Sequence, residues 1–249
     1  MSRKVLLEVC SFSIQSCVIA EKAGAARVEL CCNPTDGGTT PSYGAIVRAR
    51  ERISIKLYPI VRPRAGHYHY DEDEFAAMLK DIRMCRETGC NGISVGVQKH
   101  NGEIDTERLK RIVECAQPLG VTCNRAFDGT PDPFKALEDI IACGCERVLT
   151  SGQASGAPGA IPVLARLVRQ AGSRLIVMPG AGVRSTNIEA LVRETRAAEY
   201  HSSARVAVPN DLTHQNPQVL DLGTVYVASE EELRRILSLG NRAAAELGE

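Results

Sequence analysis

The sequence predicts a (β/α)8 TIM barrel, and three observations carry that prediction. Eight short apolar runs recur along the 249 residues, stretches of helical periodicity separate them, and reactive or polar residues close most of the runs. Short strands that alternate with helices imply a parallel sheet, because parallel neighbours need a long crossover. Eight such units in this length match the size of a barrel of this type. The residues that close the runs then gather on one rim, where these barrels place their active sites.

The runs are Val5–Cys10, Arg27–Cys31, Leu57–Arg62, Gly92–Val97, Val121–Arg125, Arg147–Ser151, Leu175–Met178 and Glu199–Ser203. Ile14, Cys17 and Val18 share one face of the first helix, which Gly24 stops. The second, around Tyr43 to Arg50, is the least regular because Gly44 lies inside it. Phe75, Met78, Leu79 and Ile82 mark the third, ending at Gly89, and Leu109, Ile112, Val113 and Ala116 mark the fourth. Asp132-Pro133 reads as an N-cap with proline at the first helical position, opening a fifth helix through Phe134, Leu137, Ile140 and Ile141. Leu164, Leu167 and Val168 mark the sixth; Ile188, Leu191 and Val192 the seventh. Ser229 with Glu232 forms a capping-box pattern before Leu233, Ile236 and Leu237.

No linker or composition break divides the chain, so residues 1–249 read as a single domain. The stretch 205–228 is too long for an ordinary connection and reads as an irregular loop, either a lid or a subunit contact. A doubly wound open sheet is the competing fold. Its phosphate-binding signatures, GxGxxG after the first strand and GxxxxGK[ST], are missing.

Composition narrows the function. Lys+Arg and Asp+Glu are both 30, and this zero net charge argues against nucleic acid or an anionic membrane as partner. No apolar run approaches the roughly 20 residues a membrane span needs. Met1-Ser2-Arg3-Lys4 leads straight into a strand without a signal-like stretch, so a cytoplasmic protein is expected. In that compartment the ten cysteines should be reduced thiols. Cys17, Cys85 and Cys115 sit among apolar neighbours and read as small hydrophobes. Cys143-Gly144-Cys145 reads as core and turn on the opposite rim, and there is no CxxC pair and no zinc spacing.

Alternation along the strands selects the site residues. Glu8 and Cys10 share a face, as do Glu29 and Cys31, while Leu7, Val9, Val28 and Leu30 take the face that helices cover. Glu8, Cys10, Glu29 and Cys31 should therefore point into the barrel from adjacent strands. Buried carboxylates need partners, and Arg62 and Arg125, ending the third and fifth runs, are the natural ones. These charges form either a structural ion-pair layer or a site with tuned carboxylates and anion-binding arginines. Inward thiols on neighbouring strands suit Cu(I), with Cys32 a possible third sulfur from the loop; they equally suit a crowded barrel mouth as small residues.

Gly37-Gly38-Thr39-Thr40-Pro41-Ser42, after the second run, is a turn that could also approach a ligand. Gly180, Gly182, Ser202 and Ser203 follow the seventh and eighth runs, where barrel loops often bind phosphate through backbone N–H groups. His201 ends the eighth run and reads as acid, base, ligand or satisfied core residue.

Together these residues resemble the CutC family of copper homeostasis proteins. Glu8-Val9-Cys10, Arg27-Val28-Glu29-Leu30-Cys31, Gly37 to Ser42, Ile60-Val61-Arg62-Pro63-Arg64 and Arg125-Ala126-Phe127-Asp128 carry the likeness. It continues through Arg147 to Gly152, Pro179-Gly180-Ala181-Gly182 and His201-Ser202-Ser203-Ala204. The resemblance implies a cytosolic, self-associating barrel linked to copper, with Cys10 and Cys31 at the positions of cysteines proposed as Cu(I) ligands. Asn124 departs from the family's histidine, and little family pattern continues beyond Arg205. Two functions remain open. One is Cu(I) binding through Cys10 and Cys31. The other is an isomerase- or lyase-type enzyme that moves a proton on a small anionic or phosphorylated molecule. Its site would draw on Glu8, Glu29, Arg62, Arg125, Asp128 and His201.

Overall fold

The computed structural model describes residues 4–209, 211–214, 216, 218 and 224–248. Eight parallel strands alternate with helices around a nearly closed barrel, confirming the predicted class. The strands are β1 (Leu6–Ser11), β2 (Arg27–Leu30), β3 (Lys56–Val61), β4 (Gly92–Val95), β5 (Gly120–Cys123), β6 (Arg147–Thr150), β7 (Ile176–Pro179) and β8 (Glu199–Ser202). Their order is β7-β6-β5-β4-β3-β2-β1-β8. The seam lies between β7 and β8, which exchange no regular ladder among the described residues. Gly180 closes it sterically: a Cβ there would sit 2.4 Å from Leu149 Cδ1 and 3.1 Å from His201 Cβ.

The helices are α1 (Ile14–Ala23), α2 (Tyr43–Arg52), α3 (Glu72–Glu87), α4 (Thr106–Ala116), α5 (Pro133–Ala142), α6 (Ile161–Ala171), α7 (Ile188–Thr195) and α8 (Glu230–Glu246). Local chemistry sets their ends. Gly24 ends α1 in the left-handed region at φ 94°, which glycine adopts without a Cβ penalty. Ser42 caps α2, and Gly44 faces open space inside that helix. Asp71 and Glu74 form a complete capping box on α3. The box expected at α8 is half formed. Ser229 accepts from the Glu232 amide, but the Glu232 carboxylate turns to the N–H and hydroxyl of Ser185, both at 2.8 Å.

Leu7, Val9, Val28 and Leu30 lie in the apolar layer between strands and helices, as alternation predicts. The stretch expected to be irregular has structure at its ends. β9 (Arg205–Ala207) pairs antiparallel with β10 (Tyr226–Ala228), and Arg205 donates to the Pro34 carbonyl at 2.9 Å. No described helix is long and apolar enough to cross a membrane.

Candidate functional site in the barrel interior

Register places the chemistry. On β1, Glu8 stands beside Arg27 of β2 and His201 of β8, and Cys10 stands beside Glu29. The inward side chains fall into two layers.

The lower layer is ionic. Arg27 bonds the Glu8 carboxylate and reaches Glu199 at 2.6 Å, while Arg147 reaches Glu199 at 2.7 Å and Glu146 at 2.6 Å. Tyr58 donates its hydroxyl to Glu146 at 2.7 Å. Its ring occupies space that only glycine can leave: a Cβ on Gly92 would lie 2.1 Å from it, and one on Gly120 would lie 2.6 Å from its hydroxyl.

Above lies the reactive layer. His201 Nδ1 is 2.8 Å from Glu8 Oε1, and its Nε2 is 3.7 Å from Glu29 Oε2. Cys10 Sγ is 3.8 Å from Cys31 Sγ. Cys10 is half-buried and Cys31 buried, so the pair is approached from the mouth by way of Cys10. Cys10, Glu29 and Cys31 bring one donor atom each within 4.8 Å of one another, as do Glu8, Glu29 and His201.

The neighbours fix the protonation. Burial pushes the Glu8 carboxyl up, but Arg27 and His201 outweigh it and hold the group at about 2. The Cys31 thiol hydrogen-bonds to Cys10 and, with His201, brings it down to about 5 against the cost of burial. Burial and the Cys10 thiolate raise Glu29 to about 8. Burial, followed by Cys10, keeps Cys31 well above the ordinary thiol value. Burial lowers His201, but Cys10, Glu8 and Glu29 more than reverse this, so it is raised well above its usual value. The surroundings therefore favour charge on Cys10 and His201 and a proton on Glu29 and Cys31.

The expected arginine partners are wrong. Arg62 spends its guanidinium on the carbonyls of Asp36, Gly38 and Gly66 and stacks over the Tyr68 ring at 4.8 Å. It pins the loop after β2 rather than a carboxylate. Arg125 pairs with Asp128 at 2.9 Å. Asp128 in turn accepts from the Thr150 hydroxyl and from the amide and hydroxyl of Ser151, tying the ends of β5 and β6 together. The true partners of the inward carboxylates are Arg27, Arg147 and His201. Sequence reasoning passed over Arg27, Arg147 and Glu199 as site residues, although each lies two positions before an inward residue or opens its strand in the inward phase.

The Cys32 backbone bridges to Thr39 across the following turn, and the group that lies within 4.8 Å of both sulfurs is the Glu29 carboxylate rather than Cys32. Asn124 caps the short 3-10 turn Arg125–Gly129 through its Oδ1, which accepts from the Ala126 amide at 3.0 Å. Of the expected anion cradle, the Gly180 amide donates to the Thr150 carbonyl at 2.9 Å and the Ser202 hydroxyl to the Val183 carbonyl at 2.7 Å. An anion would thus rely on Gly182 and Ser203.

The CutC family profile matches residues 5–206. A CutC family protein of Parabacteroides distasonis is 47% identical over 230 residues, covering 92% of this chain and 94% of its own. Another, from Chromobacterium violaceum, is 47% identical over 210 residues, covering 84% of this chain and 85% of its own. The crystal structure of a Streptococcus agalactiae protein, provisionally named copper homeostasis protein CutC, superposes with a TM-score of 0.75 at 32% identity. It covers 80% of this chain and 98% of that one. A phosphoribosylanthranilate isomerase of Thermotoga maritima, 11% identical with a TM-score of 0.60 over 96% of this chain and 99% of that one, shares the fold alone. On the profile match and these relatives, the chain belongs to the CutC family.

Proposed function

We propose that the barrel mouth binds one Cu(I) ion through Cys10 and Cys31, in the service of copper homeostasis. The observation that carries this reading is the 3.8 Å separation of two unbridged sulfurs on adjacent strands. Metal–thiolate bonds of about 2.3 Å put two sulfurs about 4.6 Å apart in a linear site and about 4.0 Å apart at a trigonal angle. The observed spacing is short of the linear case and matches a bent arrangement, with Glu29 in reach as a further donor. Soft thiolates favour Cu(I), and a reducing cytoplasm would keep both metal and sulfurs in the required state. Cys31 must lose its proton to ligate, so binding should release protons. The name of the Streptococcus agalactiae relative supports the same assignment.

Anaerobic titration of the reduced protein with Cu(I) against a chromophoric Cu(I) chelator tests the reading. One ion per chain should bind, and Cys10→Ser/Cys31→Ser should lose it. Equal copper retention by that variant would refute the site.

A second reading is proton transfer on a small anionic or phosphorylated molecule. Glu29 favours it, because an acid held near the working pH beside an imidazolium suits general acid–base catalysis. Gly182, Ser203 and the half-exposed Arg125 would receive the anion. Phosphate should then raise the melting temperature relative to chloride at matched ionic strength. Identical melting in the two salts would remove this reading. Self-association is also proposed: Val206 and Val225, on and beside the β9–β10 arm, are 47% and 68% exposed. Light scattering should give a mass above that of one chain.

A further inference from the structure

We propose that His67, His69 and His100 form a second metal site, on the outer rim of the barrel, for a divalent late first-row ion such as Zn(II). The site shares no residue with the cysteine pair. His67 and His69 lie in the connection between β3 and α3, and His100 in the connection between β4 and α4. β3 and β4 are paired neighbours, so the two loops leave the barrel side by side.

The loops are fastened to each other before any metal arrives. The Gln98 amide donates to the Tyr68 carbonyl at 2.8 Å, joining the two segments between the histidines. The Gln98 side chain donates to the Gly102 and Ala126 carbonyls, and the Lys99 amide to the Glu103 carbonyl at 2.8 Å. Tyr68 turns inward under the Arg62 guanidinium, while His67 and His69 on either side of it are less buried. Both histidines are exposed, on either side of the bend at Tyr68, and so lie on the outer face.

The ring centroids of His67 and His69 are 6.3 Å apart, and those of His69 and His100 are 5.9 Å apart. Two imidazoles on one tetrahedral ion, with metal–nitrogen bonds of about 2.0 Å, have centroids about 5 Å apart. The rings thus stand roughly 1 Å short of convergence, and their nitrogens do not yet make a tight donor group among the described residues. Rotation of exposed side chains covers that distance. His69 is already arranged as a ligand: its Nδ1 lies 3.2 Å from the Gln98 carbonyl, which as acceptor leaves Nε2 free for metal. The three rings line a depression of about 310 Å³ with Lys99 and Gly102 on its wall. Three imidazoles suit Zn(II), Ni(II) or Cu(II) over Cu(I), and the remaining position would take water or a small anion beside the Lys99 ammonium.

Zn(II) titration of the Cys10→Ser/Cys31→Ser protein under reducing conditions, followed by a competing indicator and by melting temperature, tests the site apart from the barrel mouth. One ion should bind and raise the melting temperature. Adding His67→Ala, His69→Ala and His100→Ala should weaken binding by at least about tenfold and abolish that rise. Substitution at these outward positions should leave the metal-free melting temperature unchanged, which excludes misfolding as the cause. Undiminished Zn(II) affinity in the triple-histidine variant, or no binding by the parent, overturns the proposal. Neither result touches the Cu(I) reading, which concerns other residues and another oxidation state.

Discussion

Glu29 is a carboxyl group without an arginine. Arg27, two residues before it and facing the same interior, gives its guanidinium to Glu8 and Glu199, and the cation beside Glu29 is His201, with Nε2 at 3.7 Å. Burial and the Cys10 thiolate therefore raise it to about 8 from an ordinary value of 4.5. A group raised on folding contributes its stability fully below the unfolded value, and that stability is lost as pH climbs through the folded one. Glu29→Gln should accordingly match the parent in urea melts near the unfolded value. It should pull ahead as pH rises from there to about 8, by up to about 1.4 kcal/mol for each pH unit crossed. Parallel stability–pH curves would mean that Glu29 is ionised and solvated. The inward direction of Glu8, Cys10, Glu29 and Cys31 was legible, because period two allows one answer once the other face is apolar. The partners were not. Arg62 and Arg125 stand just past their strands, where loop carbonyls and Asp128 decide direction, whereas Arg27 and Arg147 obey the alternation rule and needed only its consistent use.

Between elements, the informative residue is Glu232. Its spacing from Ser229 advertises a reciprocal cap, and its carboxylate instead receives Ser185 in the β7–α7 connection. This link holds the loop beside the seam against α8. Glu232→Ala should destabilise by about 1–3 kcal/mol, as expected for a part-buried charged acceptor leaving two donors. Hydrogen exchange at the Ser185 amide should quicken in parallel. If Glu232→Ala melts like the exposed control Glu231→Ala, the link contributes nothing. Most helices were readable because caps and apolar spacing are local. The β9–β10 pairing was not, since three-residue strands far apart in sequence leave no periodicity to detect.

The whole barrel depends on charges that a reader of apolar runs overlooks. Where β7 and β8 lack a ladder, Arg147 of β6 reaches over β7 to Glu199 of β8, and Arg27 brings β2 to the same carboxylate. Glu199 thus joins strands that are not neighbours, through an interior where its side chain is only 6% exposed. Such a layer need not outperform an apolar one, but removing Glu199 takes away the carboxylate that Arg27 and Arg147 share and leaves them only Glu8 and Glu146. Glu199→Ala should cost about 3–5 kcal/mol in denaturant midpoint energy. Replacing Glu199 and Arg147 together by apolar residues of similar volume should recover part of that loss, because one of the two cations that shared the carboxylate is then gone as well. The exposed Arg48–Glu51 pair supplies the control: its removal should leave the midpoint within error. A Glu199→Ala loss below about 1 kcal/mol would show that water reaches the lower layer.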